Sequence, residues 1–311
     1  MERPIRDSCE VISQGHDGRA GIDTELVERL IGAQFPQWAG LPVQPAEFEG
    51  WDNRTYRLGE TMVVRLPTAS GYAAAVAKES EWLPRLAPRL PVAVPTVLAA
   101  GIPGEGYPFP WSVRRWIEGE AADRAPIADL PGFAAGVAGF LLALQACDAV
   151  GAPAAGEHSW FRGAAPAHYD DETRRCLRVL EGRIDTAAAQ AVWEAALEAD
   201  WAGDPVWFHG DVAAGNLLVA DGELAAMIDF GTSGVGDPAC DLVIAWTMFT
   251  GQSRKAFRRA VARDDGMWAR ARGWALWKAL LGLAESDGAN PHDAPNLRIV
   301  ADLIADHARN S

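Results

Sequence analysis

Three side chains in one short stretch carry the groups needed for phosphoryl chemistry. Between Trp207 and Asp241 the chain reads WFHGDVAAGNLLVADGELAAMIDFGTSGVGDPACD. Asp211, Asn216 and Asp229 fall beside runs too apolar to be surface. Moving a phosphoryl group asks little covalent help of a protein. It asks for positioned phosphates, a divalent cation to neutralise charge, and a hydroxyl oriented for in-line attack. Mg2+ takes hard oxygen ligands, commonly one or two carboxylates together with phosphates and water. Asn216 and Asp229 supply those ligand types, and Asp211 remains to accept or orient the proton of the attacking hydroxyl.

The elements that must hold these groups are short strands. Val206–Phe208, Leu217–Val219 and Leu224–Ile228 are apolar runs, and Asp221-Gly222 is a two-residue turn signal between the last two. The segment from Phe208 to Gly231 therefore reads as a catalytic hairpin, with the three groups at strand ends facing one cleft.

Upstream, Asp23 is placed to cap a helix through about Gln34. Leu41 to Arg65 reads as strands, with Arg54–Leu58 and Thr61–Leu66 flanking the turn Gly59-Glu60. The turn Gly50 to Asn53 is a candidate phosphate-covering loop, because Gly and Asn accept unusual backbone angles and leave N–H groups for phosphate oxygens. Ser70 is expected to cap a helix whose apolar face includes Tyr72, Val76, Leu83 and Leu86, ended or bent at Pro84. Glu79 lies in that stripe. A carboxylate facing a core is costly unless paired, and the preceding strand offers Arg65; the alternative is a slightly rotated helix with Glu79 in solvent.

Pro91–Gly101 and Tyr107–Ile117 are extended, and beyond Glu118-Gly119-Glu120 the patterns become helical: Phe133–Gln145, Thr173–Glu181, Ala187–Ala199, Met267–Leu283 and Asn296–Ala308. The expected division is residues 1–117, with 1–20 loose, and residues 118–311.

The whole chain limits the partners. It has 311 residues, 49% hydrophobic and 23% charged, with a net charge of −14. That charge argues against nucleic acid or an anionic membrane as partner; it suits a cationic substrate and simple solubility equally. Cys9, Cys147, Cys176 and Cys240 have neither metal-pair nor redox spacing. With no secretory pattern at the N-terminus and no run long enough to span a bilayer, a cytoplasmic location is expected. Oligomeric state is not written in the sequence.

Asp211 and Asn216 stand five residues apart, the spacing of Asp and Asn in the protein-kinase catalytic loop, and Asp229 opens an Asp-Phe-Gly triplet downstream. His209-Gly210-Asp211-Val212-Ala213-Ala214-Gly215-Asn216, Ile228-Asp229-Phe230-Gly231 and Gly236-Asp237-Pro238 with Asp241 together resemble the aminoglycoside phosphotransferase family of antibiotic and small-molecule kinases. GWDNRTYRL, VVRLP, AKESEWL and RRWIEGE extend the resemblance over roughly residues 40 to 285. It implies an α+β, two-lobed protein-kinase-like fold, with a small N-terminal antiparallel-sheet lobe for nucleotide and a larger, mainly helical C-terminal lobe for catalysis and acceptor binding. It implies Asp211 as the catalytic residue, Asn216 and Asp229 as Mg2+ ligands, and ATP or GTP as donor. Gly50 and Asn53 would cover phosphates, Glu79 would pair with Arg65 facing the α- and β-phosphates, and backbone at Arg115, Trp116 and Ile117 would meet the base. His209 would shape the loop, while Asp237 and Asp241 would fix the segment after Asp-Phe-Gly and cap a helix Asp241–Phe249. Two departures stand out: Arg65 where much of the family has Lys, and Val212-Ala213-Ala214 where relatives often have Leu-His-Pro.

The resemblance implies a small-molecule hydroxyl as acceptor. Asp170-Asp171-Glu172, Glu285, Asp287 and Asp293 would suit an aminoglycoside-like polyamine, the preferred reading, unless they are solvated faces. The 13 tryptophans, with Trp268, Trp274 and Trp277 on one helical pattern and Trp160-Phe161 in a loop, would suit a macrolide or other bulky acceptor, although a Trp stripe is more often core. A metabolic sugar or alcohol kinase and a non-catalytic nucleotide-binding protein are the remaining alternatives.

Overall fold

A computed structural model describes residues 19, 21–47, 52–286, 290 and 293–310. Gly50, Cys9, Asp287 and most of the stretch 1–20 lie outside the described residues. The chain divides into two compact units, Met1–Pro88 with Ala93–Glu118, and Arg89–Val92 with Gly119–Ser311.

The first unit is built on a five-stranded sheet of β1 (Val43–Pro45), β2 (Asn53–Leu58), β3 (Met62–Pro67), β4 (Val97–Gly101) and β5 (Trp111–Arg115), ordered β1-β2-β3-β5-β4 and antiparallel throughout. Helix α1 (Thr24–Gln34) begins as its sequence predicts: Asp23 Oδ1 accepts from the Leu26 N–H at 2.8 Å. Its buried face, Leu26, Val27, Leu30 and Ile31, joins Tyr56, Val64, Trp111 and Val113 in one core.

Helix α2 (Ser70–Leu86) corrects two expectations. Ala69 is the cap and makes no side-chain capping bond, so Ser70 is already helical. The helix also runs on through Pro84. An interior proline costs about 3 kcal/mol, whereas fully burying a leucine gains roughly 1.5–3 kcal/mol. Trp82, Leu83 and Leu86 are all buried across that turn, which outweighs the loss.

The second unit contains α3 (Leu130–Gln145), α4 (Asp170–Val179), α5 (Thr186–Glu198), α6 (Ile244–Thr247), α7 (Gly251–Val261), α8 (Asp265–Ala284) and α9 (Asp293–Asn310). Asp129, Asp185 and Asp264 each cap a helix start by accepting a backbone N–H. Helix α8 is the axis, packed by α4, α5, α9 and the 3-10 segment Pro238–Val243. Trp268, Trp274 and Trp277 are buried on it, so the tryptophan stripe is core. Helix α7, rich in Arg and Lys, was not legible as a helix from periodicity; its start is closed by a capping box of Thr250 and Ser253.

Strands β6 (Glu120–Ala121), β8 (Leu217–Ala220) and β9 (Glu223–Met227) form one small sheet, and β7 (Val206–Phe208) pairs with β10 (Gly234–Gly236) in another. Asp221 and Gly222 join β8 to β9 with φ of 53° and 81°, the left-handed pair of a type I′ hairpin. Among the described residues no helix is long and apolar enough to cross a membrane.

Candidate functional site

The loop from β7 to β8 and the residues after β9 bring the polar groups of the second unit together. Asp241 fixes the start of the loop: its Oδ2 accepts from His209 N at 2.8 Å and its Oδ1 from Gly210 N at 2.7 Å. The expected helix from Asp241 to Phe249 is replaced by the 3-10 segment Pro238–Val243 followed by one turn of α6, capped by Asp237 rather than Asp241. The reason is that the Asp241 carboxylate is committed to the loop backbone. Burial pushes the Asp241 carboxyl pKa up, against the opposing effect of His209 and the two N–H groups.

His209 is fully buried and saturated. Its Nδ1 accepts from Asp211 N at 3.2 Å, so its Nε2 carries the hydrogen and donates to Ile228 O at 3.0 Å. The imidazole therefore ties the loop to the end of β9 and has no ring nitrogen left for proton transfer. Phe230 packs edge-on against it, with centroids 4.6 Å apart. Gly210 has φ +85°, and a Cβ there would lie 2.8 Å from Thr232 Oγ1 and 2.9 Å from Thr232 O. Thr232 Oγ1 in turn donates to His209 O at 3.0 Å.

Asp211 is half-buried and engaged on both carboxylate oxygens. Asn216 Nδ2 donates to Oδ2 at 3.0 Å and to the Asp211 carbonyl at 2.9 Å. Lys278 Nζ, from α8, donates to Oδ1 at 2.9 Å. Burial pushes the Asp211 pKa up, but the Lys278 charge and hydrogen bond, supported by His209 and Arg162, bring it down to about 2.

Asn216 and Asp229 are linked through the backbone, since Ile228 N donates to Asn216 O at 2.9 Å. Asp229 follows directly in the left-handed region, φ 68° and ψ 66°. A non-glycine residue there stores roughly 1–3 kcal/mol, and such strain gathers at functional sites. The donor set fits a hard cation: the Asn216 amide nitrogen is committed to Asp211, which leaves its oxygen as the ligand atom, and Asp229 adds a carboxylate. Asp237 sits deeper, gripped by Arg270, with Nε to Oδ2 at 2.7 Å and Nη2 to Oδ1 at 3.3 Å.

In the first unit, the structure gives Glu79 a partner other than the one the sequence suggested. Arg114 on β5 forks onto it, Nη1 to Oε1 at 3.0 Å and Nη2 to Oε2 at 2.6 Å, with both side chains almost fully buried. Burial pushes the Glu79 pKa up; the Arg114 charge, then that of Arg65, then the Arg114 hydrogen bonds outweigh it and hold the carboxyl low. Arg65 thus acts on Glu79 through charge, while Arg114 supplies the bidentate contact. The signal for Arg114 lay in WSVRRW, where strand alternation turns one of two adjacent arginines inward. Asn53 opens β2, paired with Pro67. At the end of the sheet, Arg115 N donates to Thr96 O at 2.9 Å and Trp116 N to Thr61 O at 2.8 Å. Of the three expected base-contacting N–H groups, Ile117 alone enters none of the bonds among the described residues.

Residues 43–277 match the model of the phosphotransferase enzyme family. No curated protein matches in sequence. Among solved structures, the GDP complex of aminoglycoside 2'-phosphotransferase-IIIa is similar with a TM-score of 0.68 and 18% identity, covering 92% of this chain and 100% of that one. Macrolide 2'-phosphotransferase MphH from Brachybacterium faecium is similar with a TM-score of 0.59 and 22% identity, covering 89% and 97%. The streptomycin–ATP complex of APH(2")-IIa is similar with a TM-score of 0.57 and 16% identity, covering 92% and 97%.

Proposed function

The chain belongs to the phosphotransferase enzyme family, and from that premise we propose that it transfers the γ-phosphate of ATP or GTP to a hydroxyl of a small molecule, with Mg2+. The observation that carries this reading is the joint placement of Asp211, Asn216 and Asp229: a carboxylate held by an amide, and that amide's backbone tied to the residue before the second carboxylate.

In this reading Asp211 is the catalytic residue that orients the acceptor hydroxyl. A carboxylate with a pKa near 2 is a weak base. That suits phosphoryl transfer through a loose transition state, where the nucleophile needs orientation more than early deprotonation. Asn216 and Asp229 would hold Mg2+, which when bound supplies charge neutralisation at the phosphates. The first unit supplies the nucleotide contacts: Arg65 for the α- and β-phosphates, Arg114 and Glu79 to fix the charge behind it, Asn53 with Gly50 for the covering loop, and the N–H of Ile117 for the base.

The acceptor class is narrower than the net charge suggests. Three of the carboxylates that favoured a polyamine are engaged within the chain. Asp170 takes Arg174 at 2.8 Å and the Trp193 indole N–H. Glu172 takes the Trp277 indole N–H at 2.7 Å, and Asp293 takes Arg183 and Ser286. Similar folds include aminoglycoside and macrolide phosphotransferases, and antibiotic acceptors therefore enter the test beside sugars and alcohols.

The test is nucleotide consumption and phosphate transfer with Mg2+ across antibiotics, sugars and simple alcohols. Transfer to any hydroxyl supports the reading, and nucleotide binding without transfer to any acceptor overturns it. Expression in a sensitive bacterium then separates an antibiotic acceptor from a metabolic one, since unchanged inhibitory concentrations count against resistance.

A further inference from the structure

From Met267 to Leu280, α8 is buried at every position but one, and that one is Lys278. A lysine in the middle of GWALWKALLGL is the one exposed position in that buried stretch, and its charge is set on Asp211. Its Nζ lies 2.9 Å from Oδ1 while the side chain remains half exposed. No fold requirement explains it: neighbouring positions are satisfied by Trp, Ala and Leu, and an exposed lysine adds nothing to the core.

The surroundings add a second cation. Arg162 lies over the Trp277 ring, 4.7 Å from its centroid, and donates to Trp160 O at 3.0 Å. It is carried on a loop whose Trp160 and Phe161 both have left-handed backbones, φ 51° and 54°. Two consecutive non-glycine residues in that region are held there only by tight surroundings, so the arginine is mounted firmly. Tyr169 stacks on Trp277 at 4.2 Å and donates to Trp160 O at 2.8 Å, which completes the mounting. Glu172, the acid of this wall, is bound to the Trp277 indole and faces Arg175 at 3.6 Å. Arg162, like Lys278, acts on Asp211 through its charge, so two cations serve this carboxylate in a molecule that is strongly negative as a whole.

We propose that Lys278, backed by Arg162, selects the acceptor by charge, so that this enzyme phosphorylates an uncharged or anionic hydroxyl compound and rejects polycations. This rests on the kinase reading above. An acceptor hydroxyl that reaches Asp211 must displace the lysine from Oδ1. An uncharged or anionic acceptor offers the freed ammonium an oxygen to bind. A polycation brings further ammonium groups against Lys278 and Arg162, and like charges juxtaposed across an interface are unfavourable.

The experiment compares wild-type, K278E and K278R proteins with Mg-ATP and Mg-GTP. The acceptor library is sorted into polycations (kanamycin, gentamicin and streptomycin), uncharged sugars and alcohols, and anionic hydroxy acids. Wild-type kcat/KM is expected to favour the uncharged and anionic classes by at least about tenfold. K278E should move the preference toward polycations by a similar factor, chiefly through acceptor KM, and K278R should keep the wild-type order. A polycation as the best wild-type acceptor, or an order unchanged in K278E, overturns the proposal and leaves the kinase reading standing. So does phosphate transfer with no preference among the classes of compound. Absence of transfer from either nucleotide to any compound overturns the kinase reading and this inference with it.

Discussion

Asn216 holds Asp211 at two points, donating from one amide nitrogen to the carboxylate at 3.0 Å and to the carbonyl at 2.9 Å. This separates two duties that a single asparagine can perform, since the nitrogen positions Asp211 and the oxygen stays available to a cation. Asn216→Asp keeps a hard oxygen donor but removes the N–H groups and sets one carboxylate against another. The expected result is a kcat at least about tenfold lower, with Mg2+ dependence retained. Wild-type kcat in N216D would show that the amide donation does not matter.

The Glu79–Arg114 fork is buried on both sides. Glu79→Gln leaves Arg114 without a counter-charge, and breaking a buried pair from one side costs about 3–5 kcal/mol. Chemical denaturation of E79Q, R114K and the double variant measures the coupling. A coupling near zero would contradict the fork. Because Glu79 is held low, its contribution is present above the ordinary carboxylate range and is lost as pH falls through its folded-state pKa. Acid denaturation of E79Q should therefore depend on pH less than that of the wild type.

Gly210 sits at φ +85° with Thr232 in the space a Cβ would take. Gly210→Ala is expected to displace the His209–Asp211 loop and to lower kcat more than it raises the KM for nucleotide. Pairing it with Thr232→Ala should not restore activity fully, because Thr232 O stays 2.9 Å from the added carbon. Full rescue would show that the backbone strain is unimportant.

Asp211 titrates at about 2 because Lys278 and its neighbours overcome burial. The wild-type rate should accordingly show no acid limb from Asp211 above about pH 3. In Lys278→Met the raising effect of burial loses its main opponent, so the carboxyl pKa rises and activity begins to fall at higher pH than in the wild type. Carboxyl NMR titration of both proteins gives the direction independently. An unchanged or lower Asp211 pKa in K278M would contradict the role of the lysine.

The parts of this molecule that rest on local rules could be read from the chain. Asp23 caps α1, Asp221-Gly222 turns the β8–β9 hairpin, and the turn Gly59-Glu60 separates β2 from β3. What depends on distant partners could not. Glu79 stood in an apolar stripe with Arg65 as its expected partner, but the bidentate contact goes to Arg114 because sheet order places β5 beside β3. Asp241 was expected, by resemblance, to fix the segment after Asp-Phe-Gly and to cap a helix; its carboxylate is taken by the backbone N–H groups of His209 and Gly210, more than thirty positions away. Pro84 was expected to end or bend its helix because the local cost is visible, whereas the joint burial of Trp82, Leu83 and Leu86 that carries the helix past it depends on distant packing. Lys278 left one clue, a lone cation within an apolar helix, and the same clue marked Arg270 and Arg272, which serve Asp237 and Asp306.

The central claim is that Asp211 orients a hydroxyl for phosphoryl transfer, and single-turnover transfer from γ-labelled nucleotide in wild type and D211N tests it most directly. Transfer to a hydroxyl acceptor is expected in the wild type, and a loss of about 10²–10⁴-fold in D211N, with nucleotide affinity unchanged. Transfer by D211N at the wild-type rate would contradict it.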